Sequence, residues 1–96
     1  MDASLSDEAL EDARTAIDWY IEGGAWAAAV AFGEELAAAL QRIRNTPGLG
    51  TPGPAGTRTL PLHRFKFSLV YRLQGNTVRV IAVASHRRRP RYWRGR

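Results

Sequence analysis

Apolar residues in the first part of the chain recur at the three- and four-residue spacing of amphipathic helices. Ser6 and the acidic residues after it form a typical helix start, and Gly23–Gly24 favours an end. The first apolar stripe comprises Leu10, Ala13, Ile17, Tyr20 and Ile21. A second stripe predicts a helix from about residue 26 to residue 44, and comprises Phe32, Leu36, Ala39, Leu40 and Ile43. Residues 6–45 are therefore predicted to form a helical hairpin.

The remaining chain changes to a period of two after a loop rich in proline and glycine, residues 46–56. Strands are predicted at TRTLPL (57–62), RFKFSLVYRL (64–73) and TVRVIAVASH (77–86). These strands form a predicted antiparallel meander over residues 57–87, which is followed by a basic tail, residues 88–96. The whole pattern predicts a single α+β domain, residues 1–96, with the helical hairpin packed on a small antiparallel sheet.

Gly75 and Asn76 predict a two-residue hairpin loop, which sets the register of the two long strands. With Gln74 opposite Thr77, the apolar pairs on one face are Leu73–Val78, Tyr71–Val80, Leu69–Ala82 and Phe67–Ala84. The opposite face collects Arg72–Arg79, Val70–Ile81, Ser68–Val83, Lys66–Ser85 and Arg64–Arg87. This register places His86 on the helix-covered face. Like charges directly opposite each other destabilise a sheet, so the arginine pairs indicate a partner that neutralises them.

Charge is divided sharply along the chain. All nine acidic residues lie within residues 1–40, whereas residues 41–96 contain only basic charges, nearly all of them arginine. A basic half of this kind indicates a polyanion or an acidic protein as the partner.

Several classes of site are disfavoured by what the sequence lacks. There is no cysteine, which excludes disulfides and thiolate chemistry. Two histidines without nearby carboxylates make a poor metal site, and no cofactor is predicted. No apolar run approaches the ~20 residues of a membrane-spanning helix, and the acidic N-terminus is unlike a signal peptide, so we expect a cytoplasmic protein without a membrane partner.

Large aromatic residues are predicted to be core or interhelical contacts: Trp19, Tyr20, Trp26 and Phe32.

Four segments in this order carry a family resemblance: DARTAIDWY in the first helix, R-x-L-P-L-x-R-F-x-F-S-L-V-Y-R-L in the first two strands, V-R-V-I-A-V-A-S-H in the third, and R-R-R-P-x-Y-W after it. Over about residues 5–94 the chain resembles the RelE/ParE superfamily of toxins from type II toxin–antitoxin systems. In that family a strand usually precedes the first helix. Only Met1–Leu5 is available for it here, so this strand is expected to be very short or missing.

The resemblance implies a growth-inhibiting toxin that a cognate antitoxin neutralises. RelE-like members cleave mRNA in the ribosomal A site, whereas ParE-like members block DNA gyrase and have no established catalytic residues. A nucleic-acid-binding module with no toxin role is a third hypothesis. The basic face has the charge that such a module needs. It has no aromatic residue on which bases could stack, since Tyr71 is predicted on the core face.

A ribonuclease of this kind needs groups that stabilise phosphate charge and groups that transfer protons. The candidates for these catalytic roles are Arg64, Lys66, Arg72, Arg79, His86 and Tyr92. No acidic residue follows Glu35, so the sheet has no carboxylate base, which favours the ParE-like hypothesis. An acidic antitoxin segment or the target is predicted to bind the basic face and tail, at Arg64, Lys66, Arg72, Arg79, Arg87, Arg88, Arg89, Tyr92 and Trp93.

Overall fold

The computed structural model describes every residue from Met1 to Arg96 and contains two helices and a five-stranded sheet. The elements follow the order β1 (Asp2–Leu5), α1 (Asp7–Glu22), α2 (Trp26–Asn45), β2 (Thr51–Pro52), a 3-10 turn (Pro54–Gly56), β3 (Arg58–Pro61), β4 (Phe67–Gln74) and β5 (Thr77–Ser85). The strand order is β1-β5-β4-β3-β2, with β1 parallel to β5 and all other neighbours antiparallel. The predicted α+β fold is confirmed, with a mixed sheet in place of a purely antiparallel one.

Two strands extend the sheet beyond the predicted meander. The short N-terminal strand is present as β1, whose residues pair with β5 from Asp2–Thr77 to Leu5–Val80. The other addition, β2, lies within the predicted loop and pairs with β3. Its two residues include a proline and lie at the sheet edge, where a missing N–H is tolerated.

The helices begin and end close to the predicted positions. The Ser6 hydroxyl accepts a hydrogen bond from the Ala9 amide at 3.1 Å and caps α1. The buried face of α1 is shifted from the predicted stripe towards small residues, because Leu10 is exposed while Ala9 and Ala13 are buried. Small side chains there let the helix approach the sheet closely, so β5 packs directly against α1.

An aromatic cluster fills the core between the helices and the sheet. Phe32 is 0% exposed, and its ring lies 5.9 Å from that of Tyr20, 5.4 Å from Phe65 and 5.0 Å from Phe67. The prediction that Trp19 and Trp26 are core residues is wrong, since they are 58% and 64% exposed.

A β-bulge in β5 overturns half of the predicted register. The pairs from Gln74–Thr77 to Tyr71–Val80 are as predicted, but the next pair is Val70–Ala82, with Ile81 as the extra residue. An extra residue in one strand turns the later side chains of that strand to the opposite face of the sheet. The predicted pairs Leu69–Ala82, Phe67–Ala84, Val70–Ile81 and Ser68–Val83 are therefore wrong, and the observed pairs are Leu69–Val83, Ser68–Ala84 and Phe67–Ser85.

The start of β4 also differs from the prediction. Arg64 has a positive φ of 68° and lies in a turn, so β4 begins only at Phe67. Neither the predicted Arg64–Arg87 pair nor the Lys66–Ser85 pair forms, because Ser85 pairs with Phe67. The two strands nevertheless remain close here, since the His86 amide donates to the Lys66 carbonyl at 2.9 Å.

The loop after α2 is attached to the core through one buried tyrosine. The Tyr71 hydroxyl donates to the Pro47 carbonyl and accepts from the Gly50 amide, both at 2.8 Å. A Cβ atom at Gly50 would lie 2.8 Å from that hydroxyl, so glycine is required by the close approach. These contacts fix the Pro/Gly-rich segment against β3 and β4.

The residues after β5 fold back over the face of the sheet opposite the helices. Trp93 is buried there in a small apolar cluster with Val70, Ile81 and Ala82. Between Ser85 and Trp93 the chain runs through turns, with hydrogen bonds from Arg88 to Ser85 and from Tyr92 to Arg89. Neither helix of the chain has the length and apolar character needed to cross a membrane.

Candidate functional site

A cavity of about 380 Å³ opens between α1 and the adjoining ends of β4 and β5. Residues of the helix, the sheet and the C-terminal segment (residues 86–96) line it, and we call it the basic cleft. Its apolar walls include Ala16, Trp19 and Tyr20 from α1 together with Phe65, Phe67 and Val83 from the sheet side; its polar lining comprises Asp12, Thr15, Arg64, Lys66, Ser85, Arg87, Arg88 and Tyr92.

Two arginines of the cleft stack on aromatic rings, and acidic residues make few contacts with its basic side chains. The Arg87 guanidinium carbon lies 5.7 Å from the centre of the Trp19 ring, and that of Arg88 lies 3.6 Å from the Tyr92 ring. Such stacking orients a guanidinium while leaving its N–H groups able to bind an anion. Arg64 has a distant ion pair with Glu35, at 3.9 Å.

A buried carboxylate, Asp12, joins α1 to the C-terminal segment. Its side chain is 7% exposed and accepts hydrogen bonds from the Val83 amide at 3.1 Å, the Tyr92 hydroxyl at 3.0 Å and the Arg96 guanidinium at 2.7 Å. The Arg88 guanidinium lies 3.7 Å away. A carboxylate with this many donors has its acceptor positions occupied within the protein and offers few to a ligand.

The same contacts alter the ionisation of two residues. Burial, followed by the negative charge of Asp12, raises the pKa of Tyr92 from 10.0 to about 12. The hydrogen bond to Asp12 raises the pKa of Arg96 above its ordinary value. Tyr92 therefore remains a neutral donor over the whole physiological range.

The raised pKa of Tyr92 predicts a loss of stability at high pH. The unfolded chain releases this proton near pH 10 while the folded chain retains it up to about pH 12, so the stabilisation is complete below about pH 10 and falls between the two values. Urea unfolding on either side of this window should show a larger loss for the natural chain than for Tyr92→Phe. An identical pH dependence in the two proteins would contradict the prediction.

The structure separates the predicted binding residues into three groups. Arg64, Lys66, Arg87, Arg88 and Tyr92 lie around the basic cleft. Arg89 is exposed and does not line the cleft, and Trp93 is buried against the face of the sheet opposite the helices.

Arg72 and Arg79 form the third group, on the opposite face of the sheet. They lie directly opposite each other, as predicted. Arg79 donates to the Ser4 hydroxyl at 3.0 Å and to the Leu5 carbonyl at 3.3 Å, so it holds β1 in place. The Arg72 Nε atom is buried and has no hydrogen-bond partner.

The prediction that His86 lies on the helix-covered face is wrong. Because of the bulge, His86 is on the opposite face, where its Nε2 lies 2.7 Å from the hydroxyl of Ser68. It does not line the basic cleft. Hence neither histidine of the chain lines the cleft together with its arginines.

Sequence reasoning missed two important residues of the cleft. Trp19 lies off the apolar stripe of α1, and that position was a usable indication that its ring is exposed. Asp12 is one acidic residue among several in an acidic helix. Nothing near it in the sequence distinguishes it, because its partners lie 71 to 84 residues away.

The chemistry of the cleft is that of an anion-binding surface with an apolar floor. No group of three or more histidine, aspartate or glutamate side chains is placed to hold a metal ion. Phosphate or carboxylate groups can bind the exposed guanidinium and ammonium groups. Apart from the exposed amine of Lys66, proton transfer would fall to Asp12 and Tyr92, which are already hydrogen-bonded to each other.

Comparison with known proteins gives a family and a fold. A family model described as "ParE toxin of type II toxin-antitoxin system, parDE" matches residues 3–90. A solved structure described as "Chromosomal ParDE TA system from P. aeruginosa" superposes with a TM-score of 0.78 at 19% sequence identity, covering 88% of this chain and 95% of that chain. An identity this low shows a shared fold. No curated protein sequence matches the chain.

Proposed function

Since the chain belongs to the ParE toxin family of type II toxin–antitoxin systems, within the RelE/ParE superfamily, we propose that it arrests growth by binding DNA gyrase. A cognate antitoxin neutralises it by covering the basic cleft. Both binding events take place in the cytoplasm, and neither requires a cofactor or a membrane.

The observation that carries the gyrase proposal is that the cleft contains no free carboxylate or imidazole group, and Lys66 is the one exposed amine there. A ribonuclease must activate a ribose hydroxyl and protonate a leaving oxygen. Asp12 is occupied by four donor groups, from Val83, Tyr92 and Arg96, and Tyr92 donates its proton to Asp12. His86 lies on the other face of the sheet. A surface that binds through charge and shape suits an inhibitor that acts by association.

The antitoxin proposal rests on charge and on the form of the cleft. Arg64, Lys66 and Arg87 are exposed, and the 3.9 Å contact of Arg64 with Glu35 is the one salt bridge among them. An acidic segment with an apolar side chain could place its carboxylates on these cations and its apolar group on Trp19 and Phe65.

The test has two stages. Inducible expression should arrest growth, and co-expression of a neighbouring antitoxin gene should restore it; harmless expression would contradict the toxin proposal. With purified components, the protein should then inhibit plasmid supercoiling by gyrase and leave a defined mRNA intact on translating ribosomes. Ribosome-dependent mRNA cleavage with normal supercoiling would refute gyrase binding.

A RelE-like endoribonuclease is the second candidate, because the cleft gathers four basic residues around one cavity: Arg64, Lys66, Arg87 and Arg88. Such a group can stabilise the charge of a scissile phosphate. The same mRNA assay decides between the two candidates. Binding to nucleic acid without either inhibition would instead favour a nucleic-acid-binding module.

A further inference from the structure

The outer edge of β5 is paired by a strand over only half of its length. β1 accompanies it from Thr77 to Val80. Beyond that point the outward backbone groups are satisfied by side chains, since the Val83 amide donates to Asp12, the Val83 carbonyl accepts from Tyr92 and the Ile81 carbonyl accepts from Arg96. The C-terminal segment is thus attached to the strand edge by side chains that also meet at one carboxylate.

The attached segment also carries part of the cleft. Arg87 and Arg88 follow β5 after one intervening residue, outside regular secondary structure, and both line the cavity. The Arg88 guanidinium lies between the Tyr92 ring, 3.6 Å from its centre, and Asp12, 3.7 Å away. The positions of these arginines therefore depend on how firmly the residues after them are held.

We propose that Asp12 is the positioning residue of the basic cleft. By anchoring Tyr92 and Arg96 to the edge of β5, it arranges Arg87 and Arg88 for an acidic partner before that partner arrives. A segment that is already ordered loses less conformational entropy on binding than a free one. The inference rests on the proposed function only in taking an acidic protein as the partner.

Two substitutions with opposite effects on net charge separate positioning from plain electrostatics. Asp12→Asn makes the chain more positive by one charge, and Arg96→Gln makes it less positive by one. If charge alone mattered, the first would strengthen the binding of an acidic ligand and the second would weaken it. If the C-terminal segment were a gate that has to open, both would strengthen binding. Positioning requires that both weaken it.

The experiment measures the binding of a fluorescein-labelled peptide of ten glutamates by fluorescence anisotropy at low salt. We expect Asp12→Asn and Arg96→Gln each to weaken binding by about tenfold. Both substitutions break the same contact, between Asp12 and Arg96, so their effects are not additive. The double variant should therefore bind about as well as the single variant with the lower affinity. Glu11→Gln is the matched control, since it makes the same charge change in the adjacent position of α1, where the side chain is 66% exposed. It should bind the peptide at least as tightly as the natural chain.

Amide hydrogen exchange supplies a readout of position that does not depend on any ligand. In Asp12→Asn the Val83 amide and the amides of residues 88–96 other than Pro90 should exchange faster, while Val78 in the core keeps its protection. Opposite effects of the two substitutions, tighter binding in both, or unchanged binding would each overturn the proposal.

A neutral variant keeps the test decisive if Asp12→Asn does not fold. Tyr92→Phe removes the donor to Asp12 and Val83 without a change of charge, so weaker peptide binding supports positioning and unchanged binding overturns it. Because the peptide assay requires neither gyrase nor an antitoxin, failure of the proposed function would leave its result unaffected.

Discussion

Replacement of Arg64, Lys66 and Arg87 together by glutamine is expected to remove most of the growth inhibition and to leave the fold intact. All three side chains are exposed and line the basic cleft. An exposed ion pair contributes up to about 1 kcal/mol, so the loss of three should weaken an acidic partner's binding by about 100-fold. The measurement is colony survival after induction, with the affinity for the antitoxin determined on the purified variant.

A control variant that loses the same charge outside the cleft shows whether toxicity depends on the cleft or on the net charge alone. Arg42, Arg91 and Arg94 are exposed and lie outside the cleft. Their replacement by glutamine should reduce toxicity far less than the cleft variant does. Equal loss of toxicity in both folded variants would show that the inhibition depends on overall charge, and would contradict the assignment of the cleft.

Phe32→Ala should destabilise the protein far more than truncation of an exposed aromatic residue. The ring is fully buried and packs on Tyr20, Phe65 and Phe67. Truncation of such a residue costs about 3–5 kcal/mol, whereas a domain of this size has a free energy of unfolding of roughly 5–14 kcal/mol. Urea unfolding monitored by far-UV circular dichroism measures the difference. Because Phe65 and Phe67 line the cleft, partner binding should weaken as well.

Trp26→Ala is the matched aromatic control on the same helix. Its ring is 64% exposed, and alanine is the better helix former, so the free energy of unfolding should change by less than about 0.5 kcal/mol. A loss as large as that of Phe32→Ala would mean that the ring of Trp26 is buried in the folded protein.

The elements that the sequence predicted well are those fixed by local chemistry. Ser6 and the glycine pair bound α1, and Gly75–Asn76 sets the first four pairs of the last hairpin. The bulge at Ile81 lies within an uninterrupted run of apolar residues, which gives no indication of it. The parallel pairing of β1 with β5 is equally non-local.

The candidate site was predictable only in its charge. The absence of acids after Glu35 identified the basic residues, but it could not divide them between two faces. That division depends on the positive φ of Arg64 and on the bulge, which together bring Arg64 near Arg87 and turn His86 away. Asp12 acts through contacts with the C-terminal segment, which only the tertiary structure reveals.

The pairing of β1 with the far end of the chain has a consequence for biosynthesis. Ser4 and Arg79, which join the two strands, are 75 residues apart, and Asp12 and Arg96 are 84 apart. On the ribosome the N-terminal part of a chain emerges and begins to fold first, and contacts of such long range form late. The helical hairpin is therefore exposed to solvent before β5 exists, with the Phe32 side uncovered. The basic cleft is assembled only after residues 87–92 have been synthesised. A nascent chain therefore offers its apolar helices to a partner before it acquires the surface proposed to arrest growth.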